Sequence, residues 1–319
     1  MRIPFRIPGP SDSGFDLVGL GLNSVDLVTV VAEYPVTNTK QRLQRFARLP
    51  GGQTATAVAV ATRLGWRGTY IGRFGDDELG AVSRESLRAA GVDLSGARVV
   101  PGAANQFAVV LVDARSGDRT VLWDRDPRLA IDAEEVSDAA VRAARIVLAD
   151  CHETAAATRA FRLARAAGIP TVLDVEKVRP GTAELLQQTD AIIAAEAFPL
   201  EFTGYESHGR ALEAIAREYD APLVAVTLGS EGSLARCGGR EFRTPAFRLD
   251  CIDTTGAGDA FHGGFAAACL RAWDGLGDVE DALVYANAVA ALNCRALGAR
   301  GGMPTAPEVE ALLASRPRP

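Results

Sequence analysis

Short apolar runs alternate along this chain with longer helical patterns, and this alternation limits the possible folds more than any other feature. The strand-like runs lie at 16–22, 68–74, 145–150, 170–174, 190–194 and 222–227, and helical patterns cover 53–65, 77–91 and 155–168. Repeated β-α units predict an α/β fold with a mainly parallel central sheet and helices on both faces. Ligands bind beyond the carboxyl ends of such strands. We therefore expect Asp150, Asp174 and Thr227, which end three of the runs, at one rim.

The length of the chain fits one large domain with a small appendage. It has 319 residues, of which 48% are apolar, enough for a sizeable core. Residues 1–14 are rich in proline and arginine and lack the apolar stretch of a signal peptide. We expect a flexible tail over 1–14 and a single domain over 15–319.

Two segments, about 25–49 and 106–123, interrupt the alternation. Both are rich in β-branched residues, contain turn signals such as 116-SGD-118, and lack a helical pattern. They predict a small antiparallel sheet that projects from the domain, either as a lid over a substrate or as edge hairpins without a gating role. Its apolar positions predict a homodimer that pairs lid to lid; they are Val28, Val30, Phe107, Val109 and Leu111.

Charge and cysteine content argue against several classes of function. The net charge is −6, and only two of the 34 basic residues are lysines, with the arginines scattered along the chain. We therefore expect neither a nucleic-acid nor a membrane partner. The five cysteines are widely spaced without any C-x-x-C, which predicts a reducing, cytoplasmic location rather than disulfides or a zinc site.

The run 253-DTTGAGDAF-261 combines two glycines and two carboxylates at the start of a helical pattern. Gly256, Ala257 and Gly258 are expected in its first turn, where unpaired backbone N–H groups and the helix dipole attract anions. Asp259 then lies beside a phosphate site and can take a proton from an attacking hydroxyl. The plainer alternative is that the carboxylates only cap and charge a helix start. A P-loop and a Rossmann fingerprint are both absent from the sequence.

These motifs resemble the ribokinase-like, PfkB-type carbohydrate kinases over residues 15 to 315. DTTGAGDAFHGG at 253–264 is similar to the family's C-terminal signature and PGGQTATAVAVATRLG at 50–65 to its N-terminal one. GLGLNSVD, GRFGDDELG and VTLGSEGS follow the family's order. The spacing around Asp26 and the stretches SGDRTVLWDRDPRL and IVLADCHE most resemble ketohexokinase-like and sulfofructose-kinase-like members.

The resemblance implies phosphorylation of a primary hydroxyl of a ketose, pentose or acidic sugar, with ATP and Mg²⁺. It implies Asp259 as the catalytic base, with the amides of Gly256, Ala257 and Gly258 forming an anion hole. The other implied roles fall into three groups: sugar binding by Asp26, Gly51, Gly52 and Thr56; nucleotide binding by Thr227, Gly229, Gly232 and Asn287; and a monovalent cation such as K⁺ at Asp253 and Thr255.

Two departures from the family pattern affect these expectations. Thr56 stands where ribokinase has an asparagine, which predicts a different hydrogen-bond pattern to the sugar. The family's N-x-x-E, which helps to organise the metal, is replaced by Ala195-Glu196-Ala197-Phe198. Three carboxylates remain as substitutes that act through water, unless the nucleotide alone holds the metal; they are Glu196, Glu201 and Asp174.

Several residues keep two interpretations at the level of sequence. His262 lies three residues after Asp259 and either contacts the substrate or packs the helix. Arg119, Arg125 and Arg128 either recognise an anionic group or face solvent or a subunit. The alternatives to a sugar kinase are a nucleoside kinase of the same fold and a non-catalytic sugar- or nucleotide-binding protein.

Overall fold

The computed structural model describes residues 1–10, 14–116 and 118–315. The strands in this part of the chain are, in chain order, β1 (Phe15–Leu20), β2 (Ser24–Val31), β3 (Arg45–Gly51), β4 (Gly68–Ile71), β5 (Arg73–Gly75), β6 (Arg98–Val100), β7 (Phe107–Asp113), β8 (Arg119–Asp124), β9 (Ala144–Asp150), β10 (Thr171–Val175), β11 (Ala191–Ala195), β12 (Leu223–Thr227), β13 (Ser233–Cys237) and β14 (Arg240–Thr244). The helices are α1 (Gln53–Arg63), α2 (Glu78–Ala89), α3 (Asp138–Arg142), α4 (Thr154–Ala166), α5 (Thr182–Leu186), α6 (Phe198–Thr203), α7 (His208–Glu218), α8 (Ala257–Arg271), α9 (Val279–Asn293) and α10 (Ala306–Ala314).

The central sheet has eight strands in the order β14-β13-β12-β11-β10-β9-β1-β4. Neighbouring strands in the run β12-β11-β10-β9-β1-β4 pair in parallel, and β13 and β14 add an antiparallel edge. Strand β9 (ARIVLAD) is buried along its whole length, as expected for a parallel strand that is covered on both faces. The predicted mainly parallel α/β fold is therefore confirmed.

Helices cover both faces of this sheet and form two apolar cores. One core contains residues of α1, α8 and α9, and the other contains residues of α4 and α7. Helix α8 lies between α1 and α9, and a Cβ on Gly263 would come within 2.4 Å of the Ala57 carbonyl oxygen. Glycine therefore allows α8 to pack this closely. Among the described residues, no helix is long and apolar enough to cross a membrane.

A separate sheet of four strands, β3-β2-β7-β8, is built from the two segments that interrupt the alternation. Its outer pairs are antiparallel as predicted, but the central pair β2–β7 is parallel. The prediction of a wholly antiparallel sheet was wrong because the two segments enter the sheet in the same direction, and a long connection permits parallel pairing.

The apolar residues of the small sheet are divided between its two faces. Val28 pairs with Val110 and Leu27 with Val109, and successive side chains of a strand point to opposite faces. Val28 and Val30 therefore lie on one face, and Phe107, Val109 and Leu111 lie on the other. The prediction that these five residues form a single apolar face was wrong. The residues of β7 that share a face with Val28 and Val30 are shifted by one position from those predicted, and a shift of one residue turns every side chain to the other face.

The first ten residues pack on the domain, in contrast to the flexible tail predicted for 1–14. The Met1 amino group lies 3.1 Å from Asp278, and the Ile3 N–H donates to the Gly277 carbonyl oxygen at 3.1 Å. Ile7 is buried in the apolar core that includes residues of α1 and α9, and the Pro8 carbonyl oxygen accepts from Arg145. Apolar residues between the prolines anchor this segment, whereas 11–13 lie outside the described residues.

Candidate functional site

A cavity of about 440 Å³ lies between the small sheet and the carboxyl ends of the central strands. Four groups of residues line it: Asp26, Ala108, Val110, Arg119 and Val121 from the small sheet; Gln53 at the start of α1; Asp174, Glu176, Ala195 and Thr227 at or after the strand ends; and Thr254 to Asp259 with His262 from the start of α8. A larger groove of about 1070 Å³ beside the N-terminal segment contains none of the predicted site residues.

The turn before α8 has the geometry expected of an anion site. Gly256 is the N-cap residue with φ 74°, and no side chain caps the helix. A Cβ at this position would lie 2.6 Å from the Ala299 Cα, so both the backbone angle and the contact require glycine. The Ala257 N–H donates to the Thr254 carbonyl oxygen at 3.1 Å, which removes one of the three predicted anion-hole donors.

Asp259 stands in the first turn of α8 and faces the cavity. Burial and the nearby Asp174 carboxylate raise its pKa from 3.8 to about 7, while Arg300 and His262 act in the opposite direction. Burial and the Asp150 carboxylate also raise the pKa of Asp174 well above its usual value. A carboxyl group that titrates near neutral pH is suited to accept a proton and release it again.

His262 lies in the wall of the cavity and is held by contacts within the protein. Its ring is 2% exposed, with Nδ1 2.8 Å from the Gly258 carbonyl oxygen and Nε2 3.3 Å from that of Ile193. Nδ1 also lies 3.6 Å from Asp174 Oδ2. Burial lowers the pKa of His262, and a neutral ring donates through one nitrogen, which the shorter contact assigns to Nδ1. The structure favours the packing interpretation of this residue.

The predicted sugar residues meet around a buried arginine that sequence reasoning missed. A Cβ on Gly51 would lie 2.9 Å from Asp26 Oδ2, so this turn adjoins the Asp26 carboxylate. The Thr56 hydroxyl is buried and accepts from Arg300 Nε at 3.2 Å. Burial raises the pKa of Asp26 to about 6, and Arg300 opposes the shift. Arg300 is the third residue of GARGG at 298–302, and neither its residue type nor its spacing in the sequence indicated a site residue.

The predicted nucleotide residues are only partly brought to the cavity. Thr227 lines the cavity, and Gly229 and Gly232 shape the turn that follows β12, both with positive φ. Asn287 is 5% exposed, and its amide nitrogen donates to Ser233 Oγ and Thr244 Oγ1, each at 3.0 Å. The amide thus joins β13 and β14, in contrast to the predicted approach to the adenine.

The predicted cation loop is closed by its own carboxylate. Asp253 Oδ1 accepts from the Thr255 N–H at 2.9 Å, and Oδ2 accepts from the Gly298 N–H at 2.7 Å. Both oxygens are therefore engaged with backbone hydrogens. In the part of the chain that is described, no group of three His, Cys, Asp or Glu side chains is arranged to hold a metal ion.

The replaced N-x-x-E leaves a different set of carboxylates near the phosphate site. Phe198 occupies the acidic position and is buried, with its ring stacked on Phe202 at 5.2 Å. Glu196 and Glu201 are exposed outside the cavity, whereas Asp174 and Glu176 line it. Two carboxylates fit Mg²⁺, which proteins bind through one or two carboxylates together with phosphate oxygens and water.

Two of the three arginines near the small sheet are already engaged within the protein. Arg125 donates to Glu153 and to the Leu129 carbonyl oxygen, and Arg128 donates to Asp126 and to the Gly102 carbonyl oxygen. Arg119 lines the cavity and reaches Thr254 Oγ1 at 3.4 Å. Of these three arginines, Arg119 is therefore the one that lies at the site.

Comparison with known proteins places this site in a family. Residues 16–306 match the profile described as pfkB family carbohydrate kinase. The chain belongs to the pfkB family. It is 32% identical over 294 residues to the ATP-dependent ribose-1-phosphate kinase of Halopiger xanaduensis, covering 91% of this chain and 95% of that protein. It is 29% identical to the ribokinase of Bacillus subtilis, covering 92% and 98%.

A solved structure supports the same placement. The ribokinase of Arabidopsis thaliana, complexed with ribose and ATP, superposes with a TM-score of 0.81 at 26% identity, covering 94% of this chain and 99% of that one. The resemblance to the ribokinase-like, PfkB-type carbohydrate kinases is thereby confirmed, and the chain is an ATP-dependent sugar kinase of the pfkB family.

Proposed function

We propose that the chain transfers the γ-phosphoryl group of ATP to a primary hydroxyl of a sugar, with Asp259 as the general base. The position of Asp259 carries this proposal: its carboxyl group faces the cavity from the first turn of a helix without a side-chain cap, and its pKa is raised to about 7. A base with this pKa takes the hydroxyl proton as the oxygen attacks phosphorus. The backbone N–H groups of the same turn would stabilise the transferring phosphoryl group.

The metal would be held mainly by the nucleotide. Mg²⁺ neutralises charge on phosphate oxygens during transfer. Asp174 and Glu176 are the cavity carboxylates that would face it, directly or through water. Neither of the two lysines, Lys40 and Lys177, lines the cavity, so no ammonium group there would substitute for the metal. We therefore expect turnover to stop when a chelator removes Mg²⁺ and to return on its addition. Potassium at the Asp253 loop stays a prediction.

The sugar would bind on the small-sheet side of the cavity. Asp26, which lies beside Gly51, offers carboxylate oxygens to sugar hydroxyls, and the inner face of the small sheet covers them. We propose that this sheet closes as a lid and excludes water during transfer. Buried hydroxyls need polar partners, so the acceptors here favour a sugar over a nucleoside.

We also propose that two copies pair through their small sheets. Strand β8 is an edge strand that is exposed along its length, and Val121, Leu122 and Trp123 are 48%, 63% and 64% exposed. An exposed apolar edge strand can pair with the same strand of a second copy. Sedimentation at micromolar concentration should give a dimer mass. Trp123→Glu should shift that mass toward the monomer, whereas a monomeric wild type would refute the pairing.

The experiment that tests the proposed activity is coupled detection of ADP formation over a panel of ketoses, pentoses, sugar acids and sugar phosphates, with adenosine in parallel. Sugar-dependent ADP formation is expected. A higher kcat/KM for adenosine than for every sugar would replace the proposal with nucleoside phosphorylation. Saturable binding of sugar and ATP without any turnover would indicate a non-catalytic binding protein.

A further inference from the structure

Arg300 lies in the loop between α9 and α10, beside the catalytic turn. The preceding residue, Ala299, contacts Gly256. The Arg300 side chain runs to the sugar side of the site, where Nη2 donates to the Gly51 carbonyl oxygen at 2.7 Å and Nε donates to Thr56 Oγ1 at 3.2 Å. It therefore supports the turn that adjoins the Asp26 carboxylate.

The charge of this guanidinium has no direct counter-ion. Its third hydrogen bond, from Nη1 to Ser86 Oγ at 3.1 Å, also goes to a neutral acceptor, and the residue is 7% exposed. Within the described ranges, Asp259 and Asp26 are the carboxylates that act on the charge of Arg300, and its three hydrogen bonds go to other acceptors. Burial lowers the pKa of Arg300 to about 10, so the group is still charged at neutral pH.

An arginine in this state can still bind a ligand. A guanidinium carries five N–H donors, and three hydrogen bonds are made, so two donors remain. A buried cation without a carboxylate partner destabilises the folded protein unless a bound anion neutralises its charge. Arginine recognises carboxylate and phosphate oxygens through paired N–H donors. The two unused donors thus match an anionic oxygen group better than a neutral hydroxyl.

We propose that Arg300 sets the substrate class: the site takes a sugar that carries an anionic group, a phosphate ester or a carboxylate, away from the hydroxyl that is phosphorylated. Asp26 accepts hydrogens from the sugar hydroxyls, and Arg300 supplies the positive charge for the anionic end. Arg119 at the cavity rim adds a second cation once the small sheet is closed. This inference rests on the proposed sugar kinase activity and narrows its substrate.

Three pentose derivatives with the same free 5-hydroxyl test the inference: ribose, ribose 1-phosphate and ribonate. We expect the wild type to show a kcat/KM for one of the two anionic compounds about 10- to 100-fold above that for ribose, because a hydrogen bond to a charged group contributes about 1.5–3 kcal/mol. Preference for ribose 1-phosphate identifies a phosphate ester, and preference for ribonate identifies a carboxylate.

Variants show whether Arg300 causes the preference. Arg300→Met should remove most of the preference for the anionic compound over ribose, and Arg300→Lys should keep part of that preference. Ribose turnover should also fall in Arg300→Met, but by less, because the variant loses the hydrogen bond to the Gly51 carbonyl oxygen. Arg295→Met is the matched control, because Arg295 is an exposed arginine on the same segment that pairs with Glu308. Equal loss for charged and neutral sugars would mean a purely structural role and overturn the proposal.

Calorimetric titration without ATP separates this inference from the proposed activity. The wild type should bind the preferred anionic compound, and Arg300→Lys, which keeps the charge if Arg300→Met does not fold, should bind it at least several-fold more weakly. Unchanged affinity in Arg300→Lys would overturn the proposal even if turnover were never detected. Absence of turnover with every sugar would refute the kinase activity alone.

Discussion

Replacing the Asp259 carboxylate by the amide of Asp259→Asn should abolish most activity and stabilise the fold. The amide has the same shape but accepts no proton, so turnover should fall at least ~100-fold while ATP affinity stays nearly unchanged. The stabilising effect arises because the native site raises the pKa of this carboxyl group, and ionisation in the folded protein is therefore unfavourable.

The size of the stabilisation follows from the two protonation equilibria. The pKa of Asp259 is 3.8 without the fold and about 7 within it. Each unit of pKa difference corresponds to about 1.4 kcal/mol, so ionisation of Asp259 lowers the free energy of unfolding by about 4 kcal/mol above pH 7. Solvent in the open cavity screens the charge and reduces this effect to roughly 2 kcal/mol. Below pH 4 both states hold the proton and the penalty vanishes. The penalty develops between pH 4 and 7, where the unfolded chain ionises first.

Urea unfolding of wild type and Asp259→Asn at pH 4, 6 and 8 measures this effect. The variant should be more stable at pH 8, by less at pH 6 and not at all at pH 4. Asp250→Asn, which changes an exposed carboxylate a few residues earlier, should show no such trend. A variant that is less stable than the wild type at pH 8, or that retains most of its activity, would show that Asp259 is not a desolvated base.

Three further predictions concern the same site. Asp26→Ala should lower kcat/KM for the sugar by roughly 2–3 kcal/mol in transition-state free energy with KM for ATP unchanged, as steady-state kinetics would show. Gly256→Ala should lower turnover more than 10-fold and the free energy of unfolding by ~1–2 kcal/mol, because φ is 74° and Ala299 leaves no space. An unaltered variant would contradict that geometry. Wild-type kcat/KM should fall as pH drops below about 7, where Asp259 becomes protonated, and a flat profile from pH 5 to 8 would contradict its role.

Features encoded within short stretches of sequence could be predicted. Helix α1 was expected at 53–65 and runs over Gln53–Arg63, and the G-A-G turn before Asp259 begins α8 as its backbone chemistry requires. Such elements depend on periodicity and on residues a few positions apart. The signatures at 50–65 and 253–264 likewise identified the family before any contact was known.

Features that depend on pairing between distant segments could not be predicted. The face on which Val109 lies is set by its register with Leu27, and nothing local to either strand fixes that register. Arg300 reaches Gly51 and Thr56 across more than 240 positions of sequence. The packing of Ile7 depends in the same way on helices far along the chain.

The short connections of the small sheet affect how long a sugar stays bound. Three residues separate β1 from β2, and Gly52 alone separates β3 from α1, so the first segment of the sheet has little slack. Asp26 and Gly51 are carried on that segment, whereas Asp259 is fixed on α8 within the core. Opening the sheet would therefore separate the sugar's ligands from the catalytic base in one movement. We expect the opening rate to limit sugar dissociation. Gly21 and Gly52 at the two ends of this segment admit no side chain, because a Cβ would lie 2.2 Å from Asp150 Oδ2 and 2.4 Å from the Asn23 Cα.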